Sequence, residues 1–243
     1  MPRIVTYNVH RCVGTDRQLN VGRVAEVLAA LNPDIVALQE LDVGRRRTGY
    51  VDQAHEIAAR LKMASHFHPA FQVEDELYGD AILTALPERL VKAQALPGYH
   101  RLKALEPRGA LWVAIEVGGQ AVQVINTHLG LVPREQQIQA ADLAGPEWLD
   151  HPDCVSPAIL LGDFNATASS LVYRTLTARL HDARRQARQK NPTSTFPSAL
   201  PVLRIDHHFV SAQIKVADVF APFDPLSRSA SDHLPLVMDF DLV

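Results

Sequence analysis

Cysteine is almost missing from this chain. Cys12 and Cys154 stand far apart, with no CxxC and no Cys/His cluster, which argues against a disulfide framework and a structural zinc site. A reducing compartment fits. No apolar run approaches the roughly 18 residues of a membrane span, and the opening MPRIVTYNV lacks the basic-then-apolar pattern of a secretory signal. The expectation is a soluble, cytoplasmic protein, provided the sequence is not a trimmed mature form. A basic excess is missing too: 24 Lys plus Arg stand against 27 Asp plus Glu, a formal net charge of -3. Nothing draws the whole molecule to nucleic acid or to an anionic membrane, so a polyanion would have to be held locally.

What is present is core. Of 243 residues, 47% are hydrophobic, and with no long linker, repeat or low-complexity stretch a single domain over 1-243 is expected. Helical periodicity is clear in VGRVAEVLAALNPD, where Val21, Val24, Leu28 and Leu31 share a face and Pro33 stops the helix. Similar patterns occupy QAHEIAARL, REQQIQAADLAGPEWL and SSLVYRTLTARLHDARRQ. Between them lie apolar runs that read as strands: RIVTYN, DIVALQE, DAILTAL, ALWVAIEV, AVQVINTHL, AILLGDFN, RIDHHFVS and LPLVMDFDL. ALWVAIEV and AVQVINTHL, joined across Gly118-Gly119, read as a hairpin. Helices bracketing many short, partly antiparallel strands predict an α/β fold with packed sheets inside and helices outside.

The ends of these strands share a feature. RIVTYN finishes at Asn8, DIVALQE at Glu40, AVQVINTHL at His128, and AILLGDFN at Asp163 and Asn165. RIDHHFVS instead begins with Asp206, and Asp232-His233 stand just before LPLVMDF. If the last two strands run antiparallel to the first four, all these polar groups collect at one rim. Any one of them alone is better explained as a turn former, a cap or a hydrogen-bonded structural histidine. Recurrence on six strands points to an active site.

Taken together, TYNVH, IVALQE, INTHLG, LLGDFNA, RIDHHFVS and SDHLPL resemble, in order, the motifs of the endonuclease/exonuclease/phosphatase superfamily. This group includes pancreatic-type deoxyribonucleases, abasic-site endonucleases, neutral sphingomyelinases, inositol polyphosphate 5-phosphatases and poly(A) deadenylases. The resemblance runs from residue 6 to residue 236. It implies a four-layer α/β/β/α sandwich with two central mixed β-sheets, and metal-dependent cleavage of a phosphoester at one sheet edge.

The chemistry implied by the resemblance suits these side chains. A phosphodiester repels its nucleophile, and a divalent cation offsets that charge. Asn8, Glu40 and Asp232 are the implied ligands, hard oxygen donors suited to Mg²⁺, with Mn²⁺ as a substitute. Asp163 would orient or deprotonate the attacking water, and Asn165 would donate to a nonbridging oxygen. His233, oriented by Asp206, and His128 would donate to the phosphate from two sides. No nucleophile elbow is present, which favours direct attack by water. NTHLG places histidine where abasic-site enzymes usually carry tyrosine, which makes a DNA-repair role less apt.

Three places depart from the pattern or extend it. Asp80 occupies a position where bacterial relatives usually carry asparagine; it is either the carboxylate partner of His128 or a structural replacement. His207 stands where an aromatic is expected and is followed by His208; strand alternation sends one to each face, so both are read as structural. Arg45, Arg46 and Arg47 are either solvated charge or a local phosphate clamp. Three functions follow for comparison: a metal-dependent phosphodiesterase or phosphatase on a small or lipid-derived phosphoester, a nuclease on the same scaffold, and a binding protein without catalysis. The acidic balance weighs against the nuclease, and the full set of motif residues weighs against the inactive protein. GDFN alone also suits a calcineurin-type metallophosphatase, but no GNHD-like segment completes a dinuclear site. No protein partner or membrane insertion is indicated.

Overall fold

A computed structural model describes residues 1–99, 105–188 and 191–243. Among these, strands β1 (Arg3–Asn8), β2 (Ile35–Val43), β3 (Ala64–Val73), β4 (Glu76–Thr84), β5 (Glu88–Ala95), β6 (Gly109–Val117), β7 (Gln120–His128), β8 (Ala158–Asp163), β9 (His181–Asp182), β10 (Asp206–Val210), β11 (Ile214–Phe220) and β12 (Leu236–Leu242) make two six-stranded sheets. The first has the order β11-β12-β1-β2-β4-β3, the second β5-β6-β7-β8-β10-β9. Helices α1 (Val21–Leu31), α2 (Gln53–Leu61), α3 (Pro133–Leu143), α4 (Leu171–Thr177), α5 (Ala183–Gln186) and α6 (Pro225–Ala230) surround them.

Three apolar layers hold the sandwich together. Ile4, Ile35 and Ile82 of the first sheet meet Leu111, Val124 and Leu161 of the second. On the outside, Val24 and Leu28 of α1 and Ile57 of α2 cover Val5, Val36 and Leu38, while Ala140 and Leu143 of α3 and Val172 and Leu176 of α4 cover Trp112, Ile125 and Leu160. The alternation along each strand explains this: successive side chains serve opposite faces, and these strands are apolar on both. The result is the α/β/β/α sandwich. No helix among the described residues is long and apolar enough to cross a membrane.

Local signals set the helix ends. The Asn20 side chain accepts the Arg23 backbone N–H at the start of α1, and Asn32 closes it in the left-handed conformation. Asp52 caps α2 by accepting from the His55 N–H. The helical reading of SSLVYRTLTARLHDARRQ is corrected: α4 ends at Thr177, β9 follows at His181–Asp182, and α5 is a separate turn. Asp182 makes the break, since its carboxylate accepts from the Tyr173 hydroxyl, the Arg184 backbone N–H and the Arg204 guanidinium.

Strand direction then places the polar ends. β1 and β2 are parallel, as are β7 and β8, while β12 is antiparallel to β1 and β10 antiparallel to β8. The C-terminal ends of β1, β2, β7 and β8 therefore share an edge with the starts of β10 and β12. Just beneath that edge the sheets are tied by a buried amide pair. Gln39 donates through Nε2 to Asn126 Oδ1 at 2.7 Å, and Asn126 donates to the backbone oxygens of Leu38 and Ala81, each at 2.9 Å.

Candidate active site

Backbone geometry aims several of the site's side chains. In β2 the register shifts between Leu38 and Leu41, a bulge that gives Glu40 a φ of +62° and turns its carboxylate to the edge. Gly162 has φ +141°, and a Cβ there would lie 1.9 Å from the Thr127 carbonyl oxygen. Only glycine lets β8 press this closely against β7 and deliver Asp163 beside His128. Asn165, at φ +49°, turns back over the strand end.

These residues meet across the two sheets. Asn8 Nδ2 donates to Glu40 Oε1 and to Asp163 Oδ2, both at 3.0 Å, and Asn8 Oδ1 accepts the His10 backbone N–H at 3.0 Å. Asp163 Oδ1 accepts the Asn165 N–H at 2.9 Å. Its Oδ2 lies 3.6 Å from Nε2 of both His128 and His233. His233 Nδ1 is 2.9 Å from Asp206 Oδ2, which also accepts from the Thr195 hydroxyl. The Phe196 ring closes the outer side of His233 at 4.8 Å between centroids.

Burial and charge set the protonation states. Burial pushes the Asp163 carboxyl up, as does Asp206, against the pull of His233 and the Asn8 and Asn165 hydrogen bonds, and it comes to about 7. Burial works against a charge on His233, but Asp206, Asp163 and Asp232 outweigh it and raise the ring to about 10. His128 goes the other way. Burial, then the charges of Arg108 and His233, hold it well below the usual histidine range and keep it neutral. The site thus carries one imidazolium and one neutral imidazole on either side of a carboxylate poised near neutrality.

Two groupings bear on metal binding. Asp163, Asp206 and His233 bring their ligand atoms within 4.8 Å of one another and could hold an ion. Within this group His233 Nδ1 is already engaged by Asp206 at 2.9 Å. Glu40 and Asp232 instead face an open cleft of about 320 Å³, and the Asp232 side chain is 42% exposed. Their carboxylate oxygens are hard donors of the kind that suits Mg²⁺ or Mn²⁺, whereas the Asn8 amide oxygen is turned to the His10 N–H and its Nδ2 to Glu40.

Two expectations are corrected. Asp80 does not pair with His128: the ring meets Arg108 Nη1 at 3.1 Å on Nδ1 and Asn165 Nδ2 at 3.0 Å on Nε2. Asp80 lies buried against the Glu40 backbone N–H, and burial raises its carboxyl to about 8 despite the charge of Arg108. The three neighbouring arginines also do not form one clamp. Arg45 turns to Glu76 at 3.3 Å, Arg46 gives its backbone N–H to the same carboxylate, and Arg47 alone lines the cleft, bonded twice to the buried Asp42. His207 and His208 are both buried, on opposite faces of β10: His207 packs against Phe164 and Tyr173, with Nε2 2.8 Å from the Ala166 oxygen.

The sequence reading missed Arg11, Tyr78, Glu106 and Arg108, which also line the cleft. Arg108 had a usable signal, since it directly precedes β6 at the rim where other strands carry polar ends.

Known proteins resemble this chain in sequence or in fold. The model of the Endonuclease/Exonuclease/phosphatase family matches residues 5–233. The uncharacterized protein YbhP of Escherichia coli K12 is 26% identical over 252 residues, covering 99% of this chain and 96% of its own. Among solved structures, a functionally unknown conserved protein from Enterococcus faecalis V583 superposes with a TM-score of 0.81 at 20% identity, over 99% of this chain and 100% of its own. The mannosyl-6-phosphatase Bt3783 of Bacteroides thetaiotaomicron superposes with a TM-score of 0.77 at 19% identity, over the whole of both chains.

Proposed function

The chain belongs to the Endonuclease/Exonuclease/phosphatase family, whose members act on phosphoesters, and from that premise we propose a divalent-metal-dependent hydrolase of a small or lipid-derived phosphoester, with water attacking phosphorus directly. The observation that carries this reading is the setting of Asp163: buried, brought to about 7, and 3.6 Å from two imidazoles of opposite charge state. A general base serves best when its pKa lies near the working pH.

Asp163 accepts the proton of the attacking water, held in place by Asn8 and by the Asn165 N–H. His233, kept charged by Asp206, donates from Nε2 to a phosphoryl oxygen as negative charge builds there. Asn165 Nδ2 and His128 line the opposite side. Asn8, Glu40 and Asp232 would hold Mg²⁺ or Mn²⁺, which when bound polarises the phosphoryl group. A small phosphoester is also the kind of substrate named for the Bacteroides phosphatase that shares the fold.

One observation favours a nuclease, the arginines beside the cleft. Against it stand the net charge of -3 and the compactness of the cleft, since an enzyme that tracks a strand neutralises several phosphates along a groove. The deciding assay compares plasmid DNA, RNA, bis-aryl phosphodiesters, inositol phosphates and phospholipids with Mg²⁺, with Mn²⁺ and with EDTA. Turnover should be greatest on a small or lipid phosphoester and vanish in EDTA. Full turnover in chelator would sink the metal-dependent reading. Plasmid nicking at physiological salt with the highest kcat/KM of the panel would replace the first reading with the nuclease.

A further inference from the structure

The cleft holds arginines to which the proposed reaction gives no role. Arg11, Arg47 and Arg108 line it, together with Tyr78 and the carboxylates of Glu40, Glu106 and Asp232. Arg108 is the informative one. Its side chain is only 8% exposed, its Nη1 is 2.8 Å from Glu106, and its buried Nε has no partner among the described residues. Arg11 likewise has a buried Nε without a partner, while its Nη2 meets His10 Nε2 at 2.7 Å. Burying guanidinium N–H groups unpaired is costly, and such groups are commonly satisfied by a ligand.

Position separates Arg108 from the reacting side of His128. The His128 ring stands between them: its Nε2 side faces Asp163 and Asn165, and its Nδ1 side faces Arg108. A neutral imidazole has one donor and one acceptor nitrogen, yet His128 meets an N–H donor on each. Arg108 can only donate, so Nδ1 accepts from it and Nε2 carries the hydrogen, directed at the reacting side. The guanidinium beyond the ring is therefore placed to hold something other than the phosphorus under attack.

Charge supports the same conclusion. Because Arg47 is bonded twice to the buried Asp42, the three arginines stand against Asp42 and the three cleft carboxylates, and a divalent ion on Glu40 and Asp232 would bring this group of charges to about +1, favourable to an anion. Resting on the phosphoester-hydrolase reading, we propose that Arg11, Arg47 and Arg108 form an anion subsite that grips a second phosphate of the substrate. The preferred class is then a small bisphosphorylated molecule, in preference to a monophosphate or an extended strand.

Binding tests this without requiring turnover. In the full-length Asp163→Asn protein with Mg²⁺, affinities are measured by calorimetry for fructose 1,6-bisphosphate against fructose 6-phosphate, and for adenosine 3′,5′-bisphosphate against adenosine 5′-monophosphate. At least one bisphosphate should bind tenfold or more tightly than its matched monophosphate. Arg108→Gln and Arg11→Gln should each shrink that ratio at least threefold. Arg11→Gln covers the case in which Arg108→Gln fails to fold. Arg60→Gln, which removes the same charge from an exposed pair with Glu56 on α2, should leave the ratio unchanged. Equal affinities within both pairs overturn the subsite, as does a ratio that survives the cleft variants or falls equally with Arg60→Gln. Absence of phosphoester turnover by the unsubstituted protein would count against the hydrolase reading alone.

Discussion

The two sheets are built to one plan and equipped differently. In each, a parallel pair lies at the centre, an antiparallel strand flanks one side, and two antiparallel strands follow on the other: β12-β1-β2-β4-β3 matches β10-β8-β7-β6-β5. In the first sheet β1 ends in Asn8 and β2, which continues to Val43, carries Glu40 at its bulge, with Asp232 before the flanking strand. The corresponding places in the second carry Asp163, His128 and Asp206. Exposure divides their work. Glu40 and Asp232 border an open cleft, where a hydrated cation can reach oxygen donors. Asp163 and Asp206 are 1% and 0% exposed, where low polarity moves proton affinities. On the proposed reading, the cleft-facing Glu40 and Asp232 would meet the cation and the buried Asp163 and Asp206 would handle protons, with the buried Asn8 bridging Glu40 and Asp163.

The largest effect should come from breaking that division at the second sheet. Asp163→Asn should lower kcat by at least roughly 10²-fold, the loss associated with a general base or transition-state contact, while metal affinity stays close to normal. Glu40→Gln should do the reverse, weakening Mg²⁺ binding first, so that added metal restores part of its activity. Titrating both variants with Mg²⁺ distinguishes them; a near-normal kcat for Asp163→Asn would move the chemistry elsewhere.

A structural break at the same place is Gly162→Ala. The new Cβ would meet the Thr127 oxygen at 1.9 Å in a backbone conformation that disfavours side chains, so unfolding stability should fall by roughly 2–4 kcal/mol. Urea denaturation reads this directly. A loss below about 1 kcal/mol would show that β7 and β8 can separate cheaply.

The buried histidines of β10 give a smaller, pH-dependent effect. Burial lowers His207 to about 4 and His208 to about 3, whereas an unfolded histidine titrates near 6.5. Below that value the unfolded chain takes up protons that the folded one refuses, so stability falls as pH drops from about 6.5 toward these lowered values. At pH 5 each ring should cost about 2 kcal/mol relative to pH 7. His208 has no partner on either nitrogen, so His208→Leu should flatten the loss between pH 7 and 5. An unchanged slope would assign the acid sensitivity to other groups.

The link between the sheets should yield the smallest signal. His233 comes from the segment before β12 and Asp206 from β10, 2.9 Å apart. His233→Ala and Asp206→Ala should therefore be non-additive in kcat/KM by on the order of 1 kcal/mol or more. Additive losses would argue that the two halves act separately.

Legibility in the sequence followed burial. The central strands were readable because both faces are apolar, and the rim was readable because each such strand ends abruptly in a polar group. β3, β5 and β11 were not marked as strands. ASHFHPAFQV and ERLVKAQA are half-exposed edge strands with mixed polarity, and edge strands are commonly charged or interrupted. IKVADVF is broken by a register shift between Val216 and Asp218. Arg108 escaped for another reason: its meaning depends on His128, 20 residues away, and only strand pairing brings them together. Asp80 illustrates the converse, since its position beside the Glu40 bulge was correctly at the rim while its partner was not predictable from spacing.

The placement of β12 governs when the enzyme comes into being. It lies between β11 and β1, pairing Arg3 with Asp239, 236 positions away, so the first sheet closes through contacts very far apart in sequence. Until these distant strands meet, Asn8, Glu40 and Asp163 stand without Asp232 and His233, and β1 is unpaired on one side. Such long-range closure slows folding.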